Sequence, residues 1–379
     1  MQRKKIVIGI TDSISAILIR GQAEFLLKNG FDVFVFSSDG EEIKRLQNLE
    51  QFTLVSIPFK REISLGSDFK AAIEAYKALT RIRPDIVNAG TPKAGFLLMI
   101  VSFILRVPIR VFTLRGIRSS SLSGIKGKVV SFTERLSCLC ANKVIAISKS
   151  LKDEAVKKGL VAEKKCIVIG KGSSNGVNIT RFLNYDEEET NNLGKNIGIK
   201  REHFVIGFVG RIVKEKGVLE LYSAFSELRT KYKLQLILIG PIEEDDAIPT
   251  EYLDKLKNDE HVKMVAKVTD IQNYYPLFNL LVLPSYREGF GNVIIESALS
   301  SIPAVASNIP GCRDAVEHNF SGLLFESKSV EDLTRKIQVY LDNPSLLKEH
   351  GENARSRAIE YFGSETIWKG QIELYKQLS

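Results

Sequence analysis

The stretch that decides the fold reads Pro284-Ser285-Tyr286-Arg287-Glu288-Gly289-Phe290-Gly291-Asn292. An apolar run before it, residues 280–283, predicts a buried strand, and residues 293–299 after it predict a helix that packs on this strand. Glu288 then lies in the connecting loop and Glu296 about a turn into the helix. Both carboxylates are therefore expected at the carboxyl end of the strand, where α/β sheets bind ligands.

A sugar nucleotide fits this corner. Each carboxylate can accept two hydroxyl donors at once. Gly289 and Gly291 let the backbone come close to a ligand, and the free N–H groups that begin a helix attract an anion such as a diphosphate. Two simpler explanations stand beside this one: Glu288 as a charge that complements the helix dipole, and Glu296 as a helix surface residue.

A second motif, G-R-x-x-x-x-K-G, covers residues 210–217 directly after a predicted strand. Breaking a sugar–diphosphate bond requires positive charge near the leaving phosphate. Arg211 supplies a planar fork of donors and Lys216 supplies a point charge, and Gly210 and Gly217 flank them. The alternative is a pair of solvated cations on a loop.

Together the two motifs resemble the large family of retaining glycosyltransferases with the GT-B fold, family 4-like, group 1 enzymes with a two-glutamate (E-x7-E) signature. The resemblance implies catalytic roles for Arg211, Lys216 and Glu288. Glu288 would contact donor-sugar hydroxyls and Glu296 both ribose hydroxyls, with no cofactor besides the nucleotide-sugar substrate. The donor-binding residues that it implies are Gly210, Arg211, Lys216, Lys267, Val268, Glu288, Gly289, Phe290, Gly291, Asn292 and Glu296.

The chain is long enough for two domains, and short apolar runs alternate with helical patterns in both halves. We therefore expect an α/β fold of GT-B architecture, with two Rossmann-like parallel-sheet domains facing a central cleft. Residues 1–175 would form the acceptor-side domain and 176–363 the donor-binding domain. The resemblance places a final helix, 364–379, back on the first domain. Predicted strands are 5–9, 32–37, 52–57, 86–88, 111–113, 143–147, 166–169, 205–209, 235–239, 262–264, 280–283 and 304–306.

Five residues of the first domain are candidates for the acceptor side: Asp12, Ser13, Lys93, Arg115 and Arg118. Asp12 is equally suited to cap the following helix. Lys93 precedes an apolar helical stretch, 96–105, for which a core helix is favoured over a membrane-interface element. Arg115 stands where many relatives carry a histidine, so a histidine role cannot be carried over. Arg115 and Arg118 suit an acceptor diphosphate instead.

None of the four histidines lies in either motif. This agrees with the retaining mechanism of the family, in which the leaving phosphate itself receives the acceptor proton. Asp12 and Glu62 are the alternative bases. No D-x-D sequence occurs, so a metal-bridged diphosphate is not expected, and the acidic run at 243–246 is interpreted as a solvated loop.

The charge of the chain is unevenly distributed. Residues 1–185 contain 30 Lys and Arg against 15 Asp and Glu, whereas residues 186–379 contain 23 against 30. A basic first half indicates an anionic partner, either a membrane surface or a lipid diphosphate, unless it only keeps the protein in solution. No nucleic-acid-binding module accompanies the charge, so nucleic acid is not expected as a partner.

No signal peptide is predicted, because the apolar run 6–10 near the start is too short for an h-region. No membrane span is predicted either, because the longest apolar stretch, 94–105, has 12 residues. The four cysteines contain no C-x-x-C pair and are expected to be reduced thiols. We therefore expect a cytoplasmic protein, peripheral at the inner face of the cytoplasmic membrane.

Residues 17–22, 91–95 and 170–176 look most like those of bacterial transferases that build capsule or O-antigen. That likeness implies transfer of a hexose or N-acetylhexosamine from a UDP-linked donor to an undecaprenyl-diphosphate-linked glycan. The alternatives are a nucleotide-sugar 2-epimerase of the same fold and a non-catalytic nucleotide-sugar-binding protein. A dinucleotide-dependent oxidoreductase is disfavoured, because no G-x-G-x-x-G follows the first strand.

Overall fold

The computed structural model describes residues 3–60, 64–200, 202–244 and 246–378. Glu62 and Asp245, both within sequence features named above, lie outside the described residues. The chain divides into two compact units. Unit 1 comprises Met1–Gly176 and Ser364–Ser379, and unit 2 comprises Val177–Gly363.

Each unit contains one parallel sheet, which confirms the predicted fold class. The strand order is β3-β2-β1-β4-β5-β6-β7 in unit 1 and β10-β9-β8-β11-β12-β13 in unit 2. The strands are β1 (Lys4–Gly9), β2 (Phe31–Ser37), β3 (Thr53–Ser56), β4 (Ile86–Ala89), β5 (Ile109–Leu114), β6 (Lys143–Ala146), β7 (Cys166–Ile167), β8 (Phe204–Val209), β9 (Leu234–Ile239), β10 (Val262–Val265), β11 (Leu280–Leu283), β12 (Ala304–Ser307) and β13 (Gly322–Phe325).

Helices connect successive strands, as the parallel pairing requires. They are α1 (Gln22–Lys28), α2 (Glu41–Glu50), α3 (Leu65–Ile82), α4 (Pro92–Ile104), α5 (Gly124–Cys140), α6 (Lys149–Lys157), α7 (Ile179–Leu183), α8 (Glu187–Asn196), α9 (Val218–Leu228), α10 (Thr250–Asn258), α11 (Asn292–Leu299), α12 (Cys312–Ala315), α13 (Val330–Asp342), α14 (Pro344–Tyr361) and α15 (Ser364–Gln377). The chain also contains short 3-10 helices, which are Ser13–Ile19, Arg118–Ser121, Glu163–Lys165, Lys214–Lys216, Ile271–Asn273 and Tyr275–Leu277.

The strand order reverses once in each sheet, between β1 and β4 in unit 1 and between β8 and β11 in unit 2. At such a switch point the loops after the two neighbouring strands run in opposite directions and leave a crevice. The motif at 210–217 follows β8, and the stretch from Pro284 follows β11. Both predicted donor motifs therefore lie at the switch point of unit 2.

Helix α15, the last element of the chain, belongs to unit 1. The indole Nε1 of Trp368 donates a 2.7 Å hydrogen bond to Asn175 Oδ1. Tyr375 is fully buried, and its hydroxyl accepts a 2.7 Å hydrogen bond from Asn88 Nδ2. These contacts attach the C-terminal helix to the sheet of unit 1.

The structure differs from the predicted elements at two places. The sequence pattern of residues 18–28 predicts a helix, but α1 begins at Gln22, because Asp12 caps a 3-10 helix over Ser13–Ile19 and Gly21 has a left-handed φ of +79°. Strand β13 was not predicted. The apolar helix α4 is mainly a core helix, as favoured, although Phe103 and Ile104 at its end are exposed. Among the described residues, no helix is both long and apolar enough to cross a bilayer.

Candidate active site

The two predicted donor motifs meet through an ion pair. Lys216 Nζ lies 2.6 Å from Glu288 Oε1, and both side chains are largely shielded from solvent, at 16% and 15% exposure. The hydroxyl of Ser285 donates a second hydrogen bond, 2.8 Å long, to the same carboxylate oxygen. The ammonium and the carboxylate are therefore fixed side by side at the switch point, and Lys216 retains further N–H donors for a ligand.

Glycine at position 217 allows the two loops to approach. Gly217 has φ +70°, in the left-handed region, and a Cβ there would lie 2.1 Å from the carbonyl oxygen of Pro284. The backbone N–H of Tyr286 also donates a 2.8 Å hydrogen bond to Glu215 O. The loop after β8 and the loop after β11 are thus in direct backbone contact.

Arg211 is bound by two carboxylates. Its Nη1 donates a 2.7 Å hydrogen bond to Glu243 Oε2, and its Nη2 pairs with Glu215 Oε1. Partial burial alone would lower the pKa of Arg211, but the hydrogen bonds and charges of Glu243 and Glu215 outweigh burial and raise it. The guanidinium stays charged and 41% exposed, with donors left over for a phosphate.

The interpretation of residues 243–246 as a solvated loop is incomplete, because two of its partly exposed acids bind residues of the predicted phosphate motif. Glu243 pairs with Arg211, and Asp246 Oδ2 accepts a 2.6 Å hydrogen bond from the backbone N–H of Glu215. These two carboxylates therefore help to hold the predicted phosphate motif in place. Sequence spacing alone contained no sign of this pairing, since the loop follows a different strand.

Glu296 is held by a buried tyrosine. The hydroxyl of Tyr275, which is 0% exposed, donates a 2.7 Å hydrogen bond to Glu296 Oε2. Burial raises the pKa of Glu296, while this hydrogen bond and the positive charge of Arg181 partly offset the effect. The carboxylate is thus fixed in direction and prepared to accept hydroxyl donors, as a ribose would supply.

Arg181 also fastens the loop after β10. Its Nε donates a 2.9 Å hydrogen bond to Gln272 Oε1, and its guanidinium bonds the carbonyl oxygen of Thr269. Lys267 is exposed and Val268 half-buried in this loop. Arg181 therefore links the loop predicted to border the nucleotide base to the neighbourhood of Glu296, the carboxylate predicted to bind ribose.

The remaining donor candidates take positions at the start of α11. Gly291, in the left-handed region with φ +78°, is the N-cap of this helix, and Asn292 is its first residue. The ring of Phe290 points into the core, where its centroid lies 5.3 Å from that of Phe362. Gly289 is half-buried just before Phe290, and Gly210 directly follows β8 at the switch point. Any contact of Phe290 with a donor would therefore use its backbone.

In unit 1, the loop after β1 is tied down by its own side chains. Asp12 Oδ1 accepts hydrogen bonds from the N–H and hydroxyl of Ser15 at 3.0 Å and 2.9 Å, so it serves as the N-cap. The buried Ser13 hydroxyl donates to Glu42 Oε2 at 2.8 Å and accepts from Ile43 N at 2.9 Å. Both candidate acceptor residues thus have structural partners within the unit.

The three basic candidates of unit 1 differ in exposure. Lys93 forms a largely buried ion pair with Asp68 at 2.6 Å. Arg115 Nε donates to Ser174 Oγ at 2.9 Å, and burial lowers the pKa of Arg115 to about 10, which leaves it charged at neutral pH. A Cβ at Gly90 would lie 1.6 Å from Arg115 Nη1, so the glycine makes room for the guanidinium. The exposed Arg118 follows in the same connection, at the start of the 3-10 turn Arg118–Ser121.

The histidines lie away from both switch points. The rings of His203 and His261 stack 5.9 Å apart, beside the amino-terminal ends of β8 and β10. His318 Nδ1 accepts from Leu324 N, and His350 is buried beside Tyr340. In the part of the chain that the structure describes, no group of three or more His, Cys, Asp or Glu residues has the arrangement of a metal site.

Sequence reasoning missed three residues that shape this site: Tyr275, Arg181 and Ser285. Ser285 stands three residues before Glu288 and could have been inferred from that spacing. Tyr275 and Arg181 reach Glu296 from other elements, and no local pattern connects them to it. They come near Glu296 only because α7 and the 3-10 turn at Tyr275–Leu277 pack against α11 in the folded chain.

Comparison with known proteins identifies the family of the chain. The model of the glycosyl transferases group 1 matches residues 189–357, and that of glycosyltransferase family 4 matches residues 16–181. The capsular polysaccharide biosynthesis glycosyltransferase CapM of Staphylococcus aureus is 37% identical over 378 residues, which is 99% of this chain and 97% of that protein.

Two further proteins extend the comparison. The N,N'-diacetylbacillosaminyl-diphospho-undecaprenol alpha-1,3-N-acetylgalactosaminyltransferase of Campylobacter jejuni is 25% identical over 92% of this chain and 91% of its own length. Anabaena HepE, solved in complex with UDP and glucose, shares the fold with a TM-score of 0.82 at 20% identity, over 99% of this chain and 100% of that one. The chain therefore belongs to the glycosyltransferases of group 1 and family 4, retaining hexosyltransferases with the GT-B fold.

Proposed function

We propose that this enzyme transfers a hexose or N-acetylhexosamine from a UDP-linked donor to a glycan carried on undecaprenyl diphosphate, during assembly of a bacterial surface polysaccharide such as capsule or O-antigen. The observation that carries the proposal is the Lys216–Glu288 pair, which joins the phosphate motif to the sugar-binding motif at one switch point. The enzyme would work at the inner, cytoplasmic face of the membrane, because such an acceptor is anchored there.

The donor would lie along the crevice between β8 and β11. Arg211 and Lys216 would neutralise the diphosphate and stabilise the negative charge that develops on it as the glycosidic bond breaks. Glu288 would accept hydroxyls of the transferred sugar, and Glu296 both ribose hydroxyls. Lys267 and Val268 would border the base.

The acceptor would approach from the switch point of unit 1. Arg115 and Arg118 would bind its diphosphate, with Asp12, Ser13 and Lys93 in the surrounding loops. In the retaining mechanism of the family, the leaving phosphate receives the proton of the attacking hydroxyl. This removes the need for a histidine base, and no described histidine lies at either switch point.

The relatives support both substrates. The Staphylococcus aureus relative is named for capsular polysaccharide biosynthesis, and the Campylobacter jejuni relative for a diphospho-undecaprenol acceptor. UDP and glucose occupy the structurally similar Anabaena protein. The family assignment also sets aside the epimerase and oxidoreductase alternatives, which leaves a non-catalytic sugar-nucleotide binder as the competing hypothesis.

Two measurements test the proposal in sequence. Calorimetric titration with UDP, GDP and ADP should show tight binding of UDP alone, and Arg211→Ala should weaken it. Incubation with UDP-sugars and a polyprenyl-diphosphate-linked sugar should then give a product that retains the anomeric configuration of the donor, as read by NMR coupling constants.

Each outcome has a defined meaning. Preference for GDP or ADP would overturn the donor assignment, and an inverted product would overturn the mechanism. The non-catalytic alternative would be established if the protein bound UDP-sugars but its transfer rate to every lipid-linked acceptor were no higher than that of Glu288→Gln.

A further inference from the structure

Helix α3 presents three large apolar side chains to solvent. Phe69, Ile73 and Tyr76 are 70%, 38% and 44% exposed. Their spacing of four and then three residues places them on one stripe of the helix. Single exposed apolar residues are ordinary on protein surfaces, but a stripe of this kind usually has a partner.

Helix α5 repeats the same arrangement. Ile125, Val129 and Phe132, with the same four-then-three spacing, are 82%, 44% and 65% exposed. Helix α4 packs against both α3 and α5, so the three helices lie side by side in one layer of unit 1. Phe103 and Ile104 at the end of α4 are also exposed, at 54% and 62%. We call this surface the α3–α5 face.

Positive charge surrounds these side chains. Residues 65–140 contain twelve Lys and Arg against four Asp and Glu, a surplus of eight that equals the net charge of +8 for the whole chain. Each helix of the pair carries three exposed cations, which are Lys70, Lys77 and Arg81 on α3 and Lys126, Lys128 and Arg135 on α5.

The few acids of this segment are already engaged within unit 1. Asp68 pairs with Lys93, and Glu74 with Lys77. Asp85 Oδ2 accepts from the N–H of Lys5 at 2.7 Å, and the buried Glu134 accepts from the N–H of Arg118 at 2.7 Å. Glu74 therefore offsets one of the exposed cations, Lys77, and the other three acids bind groups outside the six cations named above.

We propose that the α3–α5 face docks on an anionic lipid bilayer, with Phe69, Ile125 and Phe132 inserted between headgroups and the flanking lysines and arginines bound to lipid phosphates. Exposed aromatic and aliphatic side chains beside Lys and Arg are the composition of a helix that lies in the membrane interface. Charge complementarity selects an anionic bilayer over an apolar protein groove, which would leave these cations without partners.

The inference rests on the proposed function for its purpose, since a membrane-anchored acceptor has to be reached at the bilayer. It relocates the membrane contact expected from the sequence. The apolar stretch 96–105 is mostly buried, with Leu98 and Met99 at 0% exposure, whereas the amphipathic α3 and α5 supply the exposed side chains. The N-termini of α3, α4 and α5 follow the carboxyl ends of β3, β4 and β5, at the sheet edge where the acceptor is proposed to bind.

Co-sedimentation of the full-length chain with vesicles tests the proposal. Binding should be strong to phosphatidylcholine vesicles that contain phosphatidylglycerol, weak to phosphatidylcholine alone, and reduced by added salt. Phe69→Ser/Phe132→Ser should lower the partition coefficient roughly tenfold, and Lys126→Glu/Lys128→Glu should do so as well. Matched controls in unit 2, Phe320→Ser/Ile359→Ser and Lys231→Glu/Lys257→Glu, should leave binding unchanged.

Calorimetric titration with UDP separates this inference from the proposed function, because the α3–α5 variants should bind UDP as the wild type does. Equal binding to both kinds of vesicle, binding to neither, or an equal loss in the unit 2 controls would overturn the docking face while leaving donor binding intact. A concentration-dependent dimer that Phe69→Ser/Phe132→Ser dissociates would assign the face to a second copy of the chain instead.

Discussion

The hydroxyl of Tyr275 donates a 2.7 Å hydrogen bond to Glu296 Oε2, and this contact links a fully buried side chain to the carboxylate proposed to bind ribose. The ring of Tyr275 is itself wedged between Phe182 and Phe278, with centroid separations of 5.9 Å and 5.8 Å. Because its ring cannot move, the tyrosine fixes the direction in which Glu296 presents its oxygens.

Tyr275→Phe should therefore weaken donor binding without unfolding unit 2. Loss of a hydrogen bond to a charged group, worth about 1.5 to 3 kcal/mol, predicts a UDP affinity lower by roughly tenfold or more. The same bond helps keep the carboxylate ionised, so the variant should have a higher Glu296 pKa than the wild type. Its affinity should fall more steeply as the pH decreases, which calorimetric titration at a mildly acidic and a mildly alkaline pH would measure.

Tyr340→Phe is the matched control for this substitution. Tyr340 is also 0% exposed in unit 2, and its hydroxyl lies 2.7 Å from His350 Nδ1, away from the switch point. Its loss should lower the melting temperature without changing UDP affinity. If both variants weakened UDP binding equally, Tyr275 would act only through the stability of the unit.

Glu296→Gln should separate stability from function. Burial raises the pKa of Glu296 above its ordinary value, so the protonated carboxyl suits the folded state better than the carboxylate does. The stabilising contribution of the protonated Glu296 is present below the pKa that this group has in the unfolded chain. It is lost as the pH rises through the pKa that Glu296 has in the folded protein. The neutral glutamine avoids that loss, and the variant should melt at a higher temperature than the wild type at neutral pH.

The difference in melting temperature should shrink as the wild-type glutamate becomes protonated in acid. UDP affinity should fall by roughly tenfold or more, because the neutral amide is a weaker acceptor than a carboxylate for the two ribose hydroxyls. A thermal melt across a pH series, with calorimetry at neutral pH, measures both effects. A variant that melts lower than the wild type at every pH would show that the carboxylate is stabilising and that the sign argued here is wrong.

The central strands of both sheets were predictable because they are largely buried on both faces. β11 reads Leu-Leu-Val-Leu with every residue buried, and such runs need no long-range information to be recognised. Strand β13 was missed because it begins with Gly322 and pairs with β12 alone at the sheet edge. The start of α1 was misplaced because an aspartate cap and a left-handed glycine act only through local geometry.

The site was predictable where its residues are close in sequence. Glu288 and Glu296 share one strand–loop–helix corner, and Arg211 and Lys216 share one loop. What no local pattern could give is the set of partners: Arg211 with Glu243, 32 residues away, and Glu288 with Lys216, 72 residues away. These pairs follow from the order of strands in the sheet, which brings distant loops to one edge.

The Lys216–Glu288 pair should behave as a unit in catalysis. Lys216→Met removes the positive charge proposed to stabilise the leaving phosphate, and the expected cost in kcat is roughly 10²- to 10³-fold. Glu288→Gln should also reduce kcat/KM. The double variant should be little worse than the poorer single variant, because each single change already breaks the pair, which is largely shielded from solvent.

Sugar transfer rates for the two single variants and the double variant give the coupling energy. The exposed Lys255–Glu251 pair, also 2.6 Å long but 51% and 74% exposed, is the control. Its cycle of Lys255→Met and Glu251→Gln, read by thermal stability, should give a coupling too small to resolve, because solvent screens the pair. Additive losses at Lys216 and Glu288 would mean that the two residues act on the donor independently.

Gly217→Ala should disrupt the contact between the loop after β8 and the loop after β11. The left-handed φ of +70° costs a non-glycine residue about 1 kcal/mol. The added Cβ would also lie 2.1 Å from Pro284 O, a backbone atom that cannot rotate away. We expect a melting temperature lower by roughly 5 to 10 °C and a loss of transfer activity in the fraction that remains folded.

Gly198→Ala distinguishes backbone strain from the steric contact. Gly198 has φ +76°, close to that of Gly217, but the nearest heavy atom to its added Cβ is the flexible Lys263 Nζ at 3.7 Å. This variant should lose only the stability that the left-handed backbone costs a non-glycine residue, and it should keep full transfer activity. Equal melting temperatures and activities for the two variants would mean that the close approach of Gly217 to Pro284 is dispensable.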